Sequence, residues 1–369
     1  MMSCEERSLG VIDRIVSVFT RYIFFEERAY YHLCAIYVLM SHIYKTFDEV
    51  PYLGIYGPKD YGKSRLGAIL KGLCSNGKYF SDITPALLIR MIDKASEGSE
   101  GITIIFDEAE NFTDLMLRIL RSGYRHDGMT GRWNVRNDDG DWFKTFSPKI
   151  IISQRGLNDS ALESRTIPVH MVKSEIRLEK YRSKDATQEF LKIQTLIDSF
   201  VDEYGEVIEK EYNAFQTVEG LLDRDEEIWE PILVIASVLD LTLPEPFLKE
   251  EMQELAKKKI RQRKRTQLIG DRDAQILEGT QAFVEEGKTV GIDGHHYYVG
   301  EDLCTSIKDH WRIPGLRLET VSQTLKRFKI ILDRRRHRLP HKKQRECYRL
   351  DADRLKKLTK EYFEGDEDL

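Results

Sequence analysis

Eight consecutive residues carry the clearest chemistry. Gly57, Pro58, Lys59, Asp60, Tyr61, Gly62, Lys63 and Ser64 satisfy the pattern G-x-x-x-x-G-K-[S/T]. Backbone N–H groups of such a loop wrap a phosphate chain at a helix N-terminus, where four donors lack partners. Its lysine reaches β- and γ-phosphates, and the Ser64 hydroxyl ligates magnesium. The chemistry implied is binding of ATP with Mg2+. The competing reading, a Gly/Lys surface turn, suits the context poorly. An apolar strand is expected at 52–56 and a helix at 64–74, one on each side of the loop.

Two carboxylates extend the site. Asp107 and Glu108 close the apolar run ITIIF at 102–106. An acid at the C-terminal end of a buried strand holds the magnesium through water, and the next acid polarises the attacking water. Asp107 takes the metal role and Glu108 that of catalytic base. An acid pair capping a helix is the alternative. A later strand, KIIIS at 149–153, delivers Ser153 and Gln154 to the same edge. Either side chain would touch the γ-phosphate or orient the water, and a polar strand end without a role competes equally. Arg165, in LESRTIPV, precedes another strand and suits a guanidinium presented to a neighbouring subunit's γ-phosphate. Its alternative is a surface ion pair. Arg224, in GLLDRDEEIWEP, suits an approach to the nucleotide from a helical lid.

These residues need a scaffold. Helical periodicity covers 10–46, and Pro51 breaks it. Helices are expected at 86–95 and 113–123, core strands at 52–56, 102–106, 149–153 and 166–171, and a hairpin at 131–146 around Asn-Asp-Asp-Gly. Strands alternating with helices make an α/β sheet flanked by helices. Residues 174–241 read as continuous helix, and 245–265 as a long polar helix. From 271 a third unit runs helix (274–286), strand (297–299), helix (301–311), helix (319–328) and basic hairpin (331–350). The implied division is 1–47, a helical amino-terminal region; 48–173, the nucleotide core; 174–266, helices and a basic linker; and 267–369, a separate unit.

The 369 residues allow two or three domains. A hydrophobic share of 41% excludes a wholly disordered chain. Cys4, Cys34, Cys74, Cys304 and Cys347 form an odd, scattered set without a CxxC pair. That fits a reducing compartment and argues against a disulfide framework or a cysteine zinc site. Adjacent His295 and His296 read as fold residues. The start lacks the form of a signal peptide. The apolar stretch 29–44 is interrupted by His32, Ser41 and His42, short of the ~20 apolar residues of a membrane span. A cytoplasmic protein with no membrane partner is expected.

With those motifs placed, the chain resembles the AAA+ branch of P-loop ATPases. It looks most like the DUF3631-type ATPases of plasmids, phages and integrated elements. The matching stretches are PYLGIYGPKDYGKSRL, TIIFDEAENF, LRILRSGYRHDG, FSPKIIISQRGL, LESRTIPVHM and DRDEEIWEPILVIA, within residues 20–240. The S-R-x-I segment is also similar to the arginine-finger segment of minichromosome-maintenance helicases. The resemblance implies a helical amino-terminal cap, a helical lid with Arg224 as its sensor, and Arg165 acting across a subunit boundary. It therefore implies a homo-oligomer, with a hexameric ring as one candidate. Ser153 and Gln154 depart from the asparagine or threonine that many AAA+ proteins carry at the first sensor.

The net charge of −5 excludes a uniformly basic coat but conceals local clusters. Residues 257–265 hold seven Lys/Arg and no acid. Residues 321–350 hold eleven Lys/Arg against Asp333 and Glu346, a net +9. The element order there looks like an α+β winged helix-turn-helix domain. Thr320, Ser322, Gln323 and Lys326 are expected on the exposed face of its recognition helix, with Val321, Leu325 and Phe328 inward. Arg334, Arg335, Arg336, Arg338, Lys342, Lys343 and Arg345 would form the wing on DNA phosphates. A solvated basic face or a protein adaptor is the alternative. Arg132 and Arg136, on the 131–146 hairpin, would face DNA inside a ring. The reading is a Mg-dependent ATPase that moves or remodels DNA in replication or maintenance of a mobile element. It would hold duplex DNA through the last unit and single-stranded DNA in a ring. Two alternatives stand beside it: an ATP-controlled DNA-binding or defence switch that does not unwind, and a protein remodeller recruited to DNA.

Overall fold

The computed structural model describes residues 10–98, 101–109, 112–134, 138–270, 272–338 and 344–359, with side chains at all of these but 134 and 264–270. The chain divides into two compact units, Met1–Lys259 and Ile260–Leu369.

The first unit is built on a parallel sheet. Its strands are β1 (Tyr52–Tyr56), β2 (Lys78–Phe80), β3 (Ile104–Phe106), β6 (Lys149–Ser153) and β7 (Thr166–His170), in the order β2-β3-β6-β1-β7. β1 and β6 are buried at every position, as strands covered on both faces must be. Helices α3 (Lys63–Leu73), α4 (Pro85–Glu97), α5 (Asp114–Ser122) and the short α6 (Ser160–Glu163) join them. Thr84, Thr113 and Asp159 cap α4, α5 and α6 through side-chain oxygens. In parallel register every strand ends at the same edge, and ligands of such sheets gather outside that edge.

The expected 10–46 helix is two helices, α1 (Val11–Tyr22) and α2 (Ala29–Ile43). The Tyr31 hydroxyl donates to the Ile23 carbonyl (3.1 Å) and accepts from the Phe25 N–H (3.0 Å), fixing the turn between them. α2 is buried almost all round, which is why its apolar residues show no single stripe. The expected continuous helix over 174–241 is also broken. Residues 171–182 contain no helix or strand, and there Tyr181 packs edge-on against Tyr22. α7 (Ser183–Asn213) follows, then a loop with left-handed backbone at Gly220 and Asp223, then α8 (Arg224–Asp240). α9 (Leu248–Gly270) continues past the end of the unit.

A hairpin of β4 (Met129–Asn134) and β5 (Asp139–Lys144) leaves the sheet between α5 and β6. Its base is fixed by Lys149, which is fully buried. The Lys149 ammonium donates to the carbonyls of Gly123, Thr145 and Ser147 at 2.9–3.0 Å, so its three protons all have partners.

The second unit contains α10 (Arg272–Glu285), β8 (Val290–Ile292), β9 (His295–Val299), α11 (Gly300–Trp311), α12 (Leu318–Arg327), β10 (Ile331–Arg338), β11 (Gln344–Leu350) and α13 (Ala352–Thr359). Its sheet order is β10-β11-β9-β8, antiparallel throughout. β8 was not expected. Asp293 and Gly294, both at positive φ, make the two-residue turn that pairs it with β9. Leu303, Ile307, Val321, Leu325 and Tyr348 are buried together in the core.

Candidate functional site

β1 ends at Tyr56 and the loop 57–62 leads straight into α3. At Gly57 a Cβ would stand 2.8 Å from the Met171 carbonyl, so only glycine lets the loop leave the sheet this close to the segment after β7. Asp60 and Gly62 take left-handed backbone to complete the loop. Lys63, the first residue of α3, folds back over it. Its ammonium donates to the carbonyls of Gly57 (2.6 Å) and Pro58 (2.7 Å). The expected strand, loop and helix are therefore in place, with a cation held across the mouth of the loop.

A second feature adjoins it. Tyr79, on β2, donates a hydrogen bond to the Asp107 carboxylate, with the Ser64 side chain beside its hydroxyl. Burial, and then the bond to Asp107, pushes the phenol pKa up, so it stays a donor. The ring also packs against Gly67 of α3, where a Cβ would stand 2.8 Å from it. Tyr79, packed on Gly67 and bonded to Asp107, thus links α3 to the end of β3. Ser64 and Asp107 offer hydroxyl and carboxylate oxygens, the hard donors that magnesium takes. Sequence reasoning missed Tyr79, whose only local signal is a polar-tipped aromatic in a three-residue strand.

Asp107 and Glu108 separate in space. The Asp107 N–H donates to Phe80 O (2.8 Å), and its carboxylate accepts from the Glu108 N–H (3.0 Å). Glu108 has φ of +54°, which is strained for a residue with a side chain and turns it out to solvent beside the half-buried Asp107. Ser153 and Gln154 also differ. The buried Ser153 hydroxyl donates to Gly156 O and accepts from Gly156 N–H, both at 3.0 Å, closing its own turn. Gln154 is exposed at the strand edge. Of the two, Gln154 is the one turned outward.

The two arginines lie at the opposite edge. Thr166 pairs with Tyr52, and Arg165 O accepts from Tyr52 N–H (2.9 Å), so Arg165 sits where β1 begins and the loop sits where β1 ends. A five-residue strand separates them, roughly 15 Å at ~3.3 Å per residue. The Arg165 guanidinium lies over the Tyr124 ring, 4.7 Å from its centroid, and donates to Ala161 O and to Ser164 Oγ. Arg224 donates to the same Ser164 hydroxyl (3.3 Å). Burial, and then the charge of Arg224, lowers the Arg165 pKa. Arg224 therefore does not overhang this chain's own loop, contrary to the lid expectation. The cause is α7: its 31 residues carry the chain back across the unit before α8 begins.

In the second unit α12 turns Gln323 and Lys326 outward, with Thr320 half-buried. Ser322 is a correction: it is 5% exposed, on the inward face with Val321 and Leu325, beside the Tyr348 side chain. Helical spacing puts 318, 321, 322 and 325 on one side, which faces Tyr348 of β11. Several wing arginines are paired within the unit. Arg334 meets Glu346, Arg335 meets Asp293 and Asp333, and Arg345 meets Glu301. Arg336 approaches Glu346 at only 3.8 Å and is 72% exposed, and Arg338 is exposed. Lys342, Lys343 and Arg136 lie outside the described residues. Arg132 is half-buried on the hairpin, opposite Asp141.

Among the described residues no three His, Cys, Asp or Glu side chains gather as a metal site, and no helix is long and apolar enough to cross a membrane. No family profile and no curated protein matches the chain. Among solved structures it is similar to an active helicase, SCCmec type IV Cch, at 12% identity over 95% of this chain and 70% of that one, with a TM-score of 0.40. It is similar to the JCV helicase at 12% identity over 57% and 63% of the two chains, with a TM-score of 0.31. It is similar to the Drosophila ORC bound to DNA at 11% identity over 97% and 93%, with a TM-score of 0.24.

Proposed function

We propose that this chain is a magnesium-dependent ATPase that acts on DNA as a homo-oligomer. The observation that carries the reading is the Lys63 ammonium, held by two carbonyls across a loop that opens onto the first turn of α3. A triphosphate entering the loop replaces those carbonyls with phosphate oxygens, while α3 N–H groups receive the chain's remaining charge. Ser64 and Asp107 would hold magnesium, which would supply charge neutralisation to the phosphate chain when bound. Glu108 orients the attacking water and takes its proton as the water oxygen bonds to the γ-phosphorus and the bond to ADP breaks. Gln154, exposed at the end of β6, is the side chain assigned to touch the γ-phosphate or orient that water. Arg165, with Arg224 beside it, serves the site of a neighbouring subunit, which makes a ring the assembly of choice.

Within this reading, 1–47 is a helical cap, 48–173 the ATPase core, 174–266 the lid and basic linker, and 267–369 a winged helix-turn-helix unit. Gln323, Lys326, Arg336 and Arg338 are its first candidates for DNA, since the other described wing arginines already hold carboxylates. Replication or maintenance of a mobile element is the setting the sequence resemblance suggests.

The test is ATP turnover with no nucleic acid, single-stranded DNA, duplex DNA and RNA. DNA should raise the rate. A rate raised by a protein partner and not by DNA supports the remodeller, and defined duplex binding without strand separation supports the switch. A separate measurement addresses Tyr79. Tyr79→Phe keeps the packing on Gly67 but frees the Asp107 carboxylate, so the Mg2+ concentration for half-maximal turnover should rise about tenfold, as for other outer-shell ligand partners. Turnover at saturating Mg2+ should hold, and an unshifted Mg2+ titration would remove Tyr79 from the site.

A further inference from the structure

The geometry points to the β4–β5 hairpin as a stacking platform for the bases of single-stranded DNA, built from Trp133 and Trp142. This rests on the DNA-acting reading above but uses a face of the hairpin that Arg132 does not share. In the register Gly131 pairs with Trp142 and Trp133 with Gly140, so both tryptophans stand diagonally on one face, each opposite a glycine. The glycines matter. A Cβ at Gly131 would stand 2.9 Å from the Trp142 ring, and one at Gly140 would stand 3.2 Å from its Nε1. The indole therefore lies down on a strip of bare backbone, a close approach that explains glycine inside a strand. Its other π-face is open: Trp142 is 67% exposed and Trp133 66%.

The two sides of the hairpin are sorted. The opposite side carries Arg132, Phe143 and both strand carboxylates, Asp139 and Asp141. There Arg132 and Phe143 are half-buried, and β5 packs towards α4, with Lys144 N–H donating to Asp93 (2.8 Å). At its paired positions the tryptophan side carries Lys144 and no acid, while Asp138 stands exposed at the turn before β5. Two exposed indoles with Lys144 beside them complement an unpaired strand, which offers bases to stack and a phosphate for the lysine. Flat rings accept any base, so little sequence preference follows.

The test uses the full chain, without nucleotide, and labelled oligo(dT) followed by anisotropy. Trp133→Leu and Trp142→Leu should each weaken binding about tenfold, the scale of one lost base–aromatic stack. Trp133→Phe and Trp142→Phe should keep most of the affinity, which loss of folding would not. An abasic strand of equal length should bind like the leucine variants bind oligo(dT). Oligo(U) binding tighter than oligo(dT) would reassign the platform to RNA. Abasic and dT strands binding alike, leucine variants binding like the parent, or leucine variants that instead lose self-association in sedimentation would overturn the proposal. The assay contains no nucleotide and reads no turnover, so a failed ATPase reading and a failed platform are separable.

Discussion

Lys63→Ala should abolish ATP turnover, with kcat falling by about 10²–10³, the cost of removing one preorganised donor from a developing charge. The lysine's position explains the size. Its ammonium is already desolvated on one side and held by two carbonyls at 2.6 and 2.7 Å, so reaching the phosphates requires an exchange of partners and little chain movement. Lys63→Arg should fail almost as badly. A planar guanidinium cannot sit between two carbonyls spaced for a compact ammonium, and the two cations are not interchangeable at such a point. Stability should hardly change, because Lys63 is half-exposed and the freed carbonyls can take water. Turnover would be followed by phosphate release, with thermal melting as the folding control. A Lys63→Ala protein that melts normally and turns over at the parent rate would remove residues 57–64 from the chemistry.

How far such a site can be read in advance depends on the distance over which its parts communicate. The loop 57–64 was legible because its demands are local: glycines where φ is positive, lysine and serine where a helix begins, and an apolar strand just before. The place of Asp107 at the end of β3 was legible for the same reason, as the first acid after a β-branched run. Tyr79 was not, since its partner stands 28 residues away and the two meet only when β2 pairs with β3. Arg224 was misplaced because helical periodicity gives the direction of α7 but not where its far end lands. Ser322 was misplaced because a polar residue at an inward position declares itself only once Tyr348 of β11 arrives beside it. The β8–β9 turn is a different case. Asp293-Gly294 was a readable signal, and the strand before it, Val290–Ile292, was too short to stand out.

Arg165→Ala should lower turnover by about 10³ in the assembled protein, the scale on which a finger supplied from another subunit acts. The location gives the prediction its shape. Arg165 sits at the amino edge of the sheet, a full strand length from its own loop, so a direct role in its own site is geometrically closed. In the proposed oligomer, a head-to-tail arrangement would bring that edge against a neighbour's loop. Mixing then becomes diagnostic. Arg165→Ala chains keep a working loop, and Lys63→Ala chains keep a working finger. In a random equal mixture about a quarter of the interfaces combine the two intact halves, and turnover should return to that extent. A purely structural arginine predicts no recovery. Its loss from the Tyr124 ring would cost about 1 kcal/mol of stability in every chain, whichever partner it meets. Arg224→Ala tests the edge as a unit. It shares the Ser164 hydroxyl with Arg165 and holds down its neighbour's pKa, so it should also be rescued by Lys63→Ala chains. Rescue of neither variant would place both arginines outside the reaction and leave the second edge of the sheet without a catalytic role.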